Sequence, residues 1–183
     1  MRYIKLYEQQ WKDLMESQER SGMPLHDYPG RSILTTWAIS FNSIQNKDIG
    51  AASLLLLWAC LDNKELWYDV LAGASMASTD AAASLKDMLK GIASDEISFL
   101  AAMQLLCAYS LVEVVQDTES YATHPVVHRW ALTMQTEEQR RKFIELAIIV
   151  IGWTVPHSST KGYSLKQRRL LPHAHRCWTW VMK

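Results

Sequence analysis

A mainly α chain with one small β-hairpin is the fold class this sequence predicts, and three observations predict it. Apolar residues recur at steps of three and four along most of the 183 positions, the period of helices that bury one face. Only 111–115 and 121–123 are short, β-branched or aromatic, and separated by a polar stretch, as a hairpin requires. Seven glycines and five prolines against 49% hydrophobic residues exclude a disordered or collagen-like chain and supply one substantial core.

In chain order, residues 3–18 place Tyr3, Tyr7, Trp11 and Leu14 on one helical face. Gly22, Pro24 and Pro29-Gly30 predict a loop, and Ser32 an N-cap for a helix carrying Ile33, Trp37, Phe41 and Ile44. Asn46 closes that helix. Asp48 opens the next, which is apolar on nearly every side over 51–61 and therefore central. A short helix is expected over 65–71, and one more within the alanine- and serine-rich 72–92. Ser94-Asp95-Glu96 puts a cap and two carboxylates at the positive end of a helix whose stripe is Phe99, Met103, Leu106 and Tyr109.

After the hairpin, Pro125 suits the first turn of a helix running to Met134, and Thr136-Glu137-Glu138-Gln139 is a capping box for the helix through 143–151. A loop over 156–163 precedes a basic helix pair at the C-terminus. Trp37, Phe41, Leu56, Trp58, Leu105, Val112, Val127 and Trp130 are expected to be buried together. Several helices, then helix, hairpin and helix, is the order of a winged-helix domain, with the hairpin as its wing.

The charge is zero overall but divided. Residues 1–139 hold 10 Lys/Arg and 18 Asp/Glu, a balance of −8, whereas 140–183 hold 9 Lys/Arg and only Glu145, a balance of +8. The basic segment could pair with the acidic body of its own chain, with a docked domain, or with RNA or an anionic membrane. The expectation is that Arg140, Arg141 and Lys142 lie near acidic surface while Lys166, Arg168 and Arg169 reach outward to a partner. Cys60, Cys107 and Cys177 form no disulfide pattern, which fits a reducing, cytoplasmic setting. The longest apolar runs, 54–61 and 146–151, fall far short of the ~20 residues of a membrane span, and Lys5, Glu8, Lys12 and Asp13 leave no secretory signal visible.

The chemistry expected of an enzyme is missing. No glycine is followed by lysine, so there is no Gly-Lys-Ser/Thr phosphate cradle, and no catalytic residues are assigned. His124 and His128 have the spacing of a zinc pair, but Pro125 stands where a metalloprotease needs its glutamate. His173, His175 and Cys177 alternate and would scatter around a helix, so no metal site is assigned. DNA binding would rest on the helix at 94–109, which has no Lys or Arg, within a stretch (62–110) of balance −4.

The runs SILTTWAISFNSIQ, AASLLLLWACLDNKELWYDVL, YSLVEVVQ, SYATHPVVHRWAL and RRLLPHAHRC resemble the segment after the nucleotide-binding core of fungal NLR-like STAND proteins. In that family an NB-ARC module precedes tetratricopeptide repeats. The resemblance implies three segments, with 1–28 as the end of a preceding helical subdomain, 29–134 as a winged helix, and 135–183 as a helical linker and repeat cap. It implies a non-catalytic regulatory and interaction module whose partners are the NB-ARC domain and the repeats. Thr123-His124-Pro125 stands where the family has Met-His-Asp, whose histidine contacts ADP phosphate; His124 is therefore the candidate cofactor-binding residue, ADP or ATP being bound only together with a parent core. Proline in place of aspartate removes that motif's carboxylate. The alternatives are a winged-helix nucleic-acid-binding regulator and a free-standing adaptor that docks on an NB-ARC protein. The chain is either a short gene product or a fragment of a larger switch.

Overall fold

Asp48, Asp95 and Thr136 each accept a hydrogen bond from a backbone N–H three residues on, at 2.9, 2.9 and 3.2 Å, and so fix where three helices begin. Gln139 completes the box at Thr136 by accepting from the Thr136 N–H at 3.1 Å. The computed structural model describes residues 29–75 and 80–182. The helix expected over 3–18, the loop at Gly22 and Pro24, and the whole segment 1–28 lie outside the described residues. The order is α1 (Pro29–Lys47), α2 (Ile49–Trp58), α3 (Tyr68–Ser75), α4 (Asp80–Met88), a 3-10 turn (Ile92–Ser94) and α5 (Glu96–Ala108), followed by β1 (Glu113–Val115), a 3-10 turn (Gln116–Thr118), β2 (Ser120–Ala122), α6 (Pro125–Thr133), α7 (Glu137–Thr154) and α8 (Tyr163–Val181). The described chain is thus mainly helical with one two-stranded antiparallel sheet, in which Glu113 faces Ala122 and Val115 faces Ser120.

The chain divides into Met1–Thr35, described only from the start of α1, and one compact unit, Thr36–Lys183. In the latter, α2 is buried on almost all sides, as its apolar run predicts. Helix α3 packs most extensively on α7, where the Thr154 hydroxyl donates to the Val70 carbonyl at 2.8 Å. Trp130 meets Phe41 edge-on at 6.0 Å and Trp37 at 5.9 Å; Phe99 lies between Tyr68 at 5.7 Å and Tyr121 at 5.9 Å. Gly50 permits the closest helix approach. A Cβ there would meet the Leu89 carbonyl oxygen at 2.7 Å and Ile92 Cδ1 at 2.8 Å. Gly50→Ala is therefore expected to destabilise by about 1–3 kcal/mol in urea melts, and an unchanged midpoint would show that α2 and the end of α4 part without cost.

Five expectations need correction. Helix α1 starts at Pro29, whose fixed φ suits a first turn, so Ser32 lies inside the helix and not at its N-cap position, and Pro29-Gly30 is not loop. The helix expected over 65–71 starts only at Tyr68, because Leu66 pairs with Tyr121 through two backbone hydrogen bonds of 2.8 and 3.0 Å and extends the chain there. The basic helix pair is one helix, α8, with Pro172 inside it. In the expected core, Phe41, Trp58, Val112, Val127 and Trp130 are buried, but Trp37, Leu56 and Leu105 are half-buried at helix rims. The fifth concerns the basic residues and belongs to the site.

Candidate functional site

The connection between α2 and α3, residues 59–67, is where α2, the end of the hairpin, α6 and α8 meet. Its backbone leaves the regular helix at Ala59, and Glu65 takes a left-handed φ of 53°. Such a conformation costs a non-glycine residue about 1 kcal/mol, so the surroundings must hold it. From α2 itself, the Trp58 indole N–H donates to the Asp62 carbonyl at 2.8 Å. From the sheet side, Asn63 donates its amide to the Thr123 carbonyl at 3.0 Å, and its own carbonyl accepts from the Thr123 N–H at 2.9 Å.

Two buried histidines clamp the rest. His128 of α6 places Nε2 3.1 Å from both the Trp58 and Leu61 carbonyl oxygens, so that nitrogen carries a proton shared between them. Burial, above all, pushes its pKa down to about 4, and the ring is neutral. His173 of α8 is fully buried; its Nδ1 accepts from the Asp62 N–H at 3.2 Å and its Nε2–H donates to the Glu65 carbonyl at 3.3 Å. Burial also lowers its pKa, against the pull of Asp62 and Glu65. Both rings thus hold backbone of the connection, His128 through Nε2 and His173 through both nitrogens.

Helix α8 adds three more ties. Arg169 stacks over Trp67 at 4.1 Å while donating to Glu65 at 3.3 Å and to the Thr118 carbonyl at 3.2 Å. Lys166 bridges to Asp69 at 3.1 Å, and the Trp180 indole N–H donates to the Cys60 carbonyl at 2.8 Å. Arg176 stacks over Trp180 at 4.6 Å. This departs from the expected charge pattern at Lys166 and Arg169, while Arg168 is exposed. Lys166 and Arg169 do not reach outward but bind acidic body, whereas Lys142 pairs within its own helix, with Glu138 at 2.8 Å. The reason is that the stripe Lys166, Arg169, Leu170, His173, Cys177 and Trp180 recurs at three and four residues, so the charges share a face with buried groups. That spacing was the signal available in the sequence. Pro172 falls on the exposed opposite face, where its missing N–H leaves the clamp intact.

His124 stands apart from this clamp. It is the exposed N-cap of α6, and its Nδ1 accepts from the Val126 N–H at 3.3 Å. Pro125 follows at the first helical position, as expected. Thr123 is buried and donates its hydroxyl to the Leu111 carbonyl at 2.9 Å, a structural bond between the two strand ends. His175 is exposed, while Cys60 and Cys177 are buried thiols pushed up to about 12 and about 11, so they remain protonated. Among the described residues no group of three or more His, Cys, Asp or Glu could hold a metal ion, and no helix is long and apolar enough to cross a membrane.

Two neighbouring grooves share Trp67, Tyr68, Asp69 and Lys166 in their walls. One of about 450 Å³ runs between α5, the hairpin and α3; another of about 460 Å³ lies between α3, the end of α7 and α8. Comparison with family models, with curated proteins and with solved structures gives no match to this chain.

Proposed function

We propose that the chain is a non-catalytic coupling module of an NLR-like signalling ATPase: a winged helix that packs on an NB-ARC nucleotide-binding core, with α8 opening a tetratricopeptide-like helical array. One observation carries this reading, the two faces of α8. Its inner face is fastened to the 59–67 connection by Arg169, His173 and Trp180 and to α3 by Lys166, and the same connection is held by α2, α6 and the residue after β2. Its outer face exposes Leu171, Trp178 and Met182 at 65%, 59% and 67%, a stripe suited to a further helix.

The helix–hairpin–helix order and the exposed position of His124 between β2 and α6 support the same reading, because that is where a phosphate-contacting histidine would stand. In this role His124 would offer a ring N–H to an ADP phosphate held by the core. The nucleic-acid alternative is disfavoured by α5, which has no Lys or Arg and begins with Asp95 and Glu96. A pair of titrations tests the proposal. The chain is expected to associate with a purified NB-ARC core of a fungal NLR-like protein and not with short duplex DNA at low salt. DNA binding with a steep salt slope, without association with the core, would overturn it.

A further inference from the structure

The helix that a DNA-binding reading would send into the groove of nucleic acid has an exposed apolar edge instead. Ile97 and Leu100 of α5 are 78% and 42% exposed, and Val114 of β1 is 59% exposed. Leu100 and Val114 line the same 450 Å³ groove, with Trp67, Tyr68 and Phe99 on its walls. Isolated surface hydrophobics are ordinary, but a concave set of this kind marks a contact surface.

The charge around it that no ion pair engages has one sign. Lys166 and Arg169, the basic residues lining the groove, are bound to Asp69 and Glu65. Glu96 and Glu119 line it too, and no ion pair engages either of them among the described residues. Asp95 caps α5 beside them, its carboxyl held below the usual range mainly by the Ser98 hydroxyl and N–H, so it stays charged. Tyr68 reports the resulting field: burial and then Asp95, Glu96 and Asp69 raise its pKa. A groove that exposes Leu100 and Val114 and whose unpaired charges are the Glu96 and Glu119 carboxylates favours ammonium or guanidinium groups flanked by apolar side chains over phosphate.

We propose that the groove between α5, the hairpin and α3 is a docking site for a basic amphipathic segment of a partner protein, with aliphatic anchors against Leu100 and Val114 and Lys or Arg against Glu96 and Glu119. The occupant is chosen by charge complementarity. This surface is separate from the outer face of α8 and from His124; Lys166 and Arg169 of the inner face line it, and the test below reads it without a nucleotide-binding core.

The test uses the full chain and a fluorescein-labelled peptide of alternating leucine and lysine faces, read by anisotropy. Glu96→Gln with Glu119→Gln is expected to weaken binding about three- to tenfold and flatten its salt dependence. Leu100→Gln with Val114→Thr should weaken it about tenfold or more while the circular-dichroism melt is unchanged. Asp80→Asn with Glu137→Gln removes the same charge elsewhere and should change affinity less than twofold. Equal weakening by this control pair would mean unspecific attraction and overturn the proposal, as would no binding at millimolar peptide. Sedimentation showing a dimer that the Glu96/Glu119 variant dissolves would also overturn it, by making the occupant a second copy of this chain.

Discussion

Trp58→Ala is expected to destabilise the chain by about 3–5 kcal/mol, because truncating a fully buried tryptophan leaves a cavity that a packed core only partly closes. Trp58 is 0% exposed and ends the central helix α2, and its indole also holds the Asp62 carbonyl at 2.8 Å. Trp58→Phe keeps most of the apolar volume and drops the donor, and should cost about 1 kcal/mol for the lost bond beyond its packing change. Trp37→Ala should cost clearly less than Trp58→Ala, since Trp37 is half-buried and touches Trp130 from the rim. Urea melts of the three variants give the ranking directly. A loss below about 1 kcal/mol for Trp58→Ala would place the core elsewhere.

Acidification should weaken the fold through its two buried histidines. His128 has a folded pKa pushed down to about 4, against an ordinary value of 6.5, so the unfolded chain binds the extra proton first. Its contribution is whole above pH 6.5 and is lost as pH falls from 6.5 to about 4, amounting to about 3 kcal/mol over that window. His173 acts in the same direction: a proton on Nδ1 would face the Asp62 N–H that Nδ1 now accepts. The helix α8 clamp should therefore loosen with acid. Stability measured at pH 7.5, 6 and 5 should fall stepwise, and His128→Asn should be less stable at neutral pH but show a shallower fall. A flat profile in the wild-type chain would mean that the rings are not buried in neutral form.

How much of this was legible beforehand depends on whether the deciding interaction was local. Asp48, Asp95, Thr136 and Pro125 act on backbone within a turn of themselves, and each could be read from its neighbours. The hairpin was legible for the same reason, because β1 and β2 are joined by a short polar turn. The segment at Glu65 and Leu66 was not. Its residues suit a helix, and only the distant Tyr121 backbone pulls them into an extended bridge. The clamp was half legible. The spacing of Lys166, Arg169, His173, Cys177 and Trp180 was in the sequence, but what His173 and Trp180 bind, the backbone between α2 and α3, leaves no side-chain pattern. His124 was legible as a helix cap by position, and its link to nucleotide rests on the family resemblance.

The proposed coupling to a nucleotide-binding core should show in the rate at which ADP leaves that core. A purified NB-ARC core of a fungal NLR-like protein is loaded with fluorescent ADP, chased with excess ATP, and followed with and without this chain in trans. The chain is expected to slow ADP release severalfold, and His124→Ala, a surface change that leaves the clamp intact, to lose much of that effect. An ADP release rate unaltered by the chain at concentrations that saturate its association with the core, or equally slowed by His124→Ala, would contradict the proposed coupling.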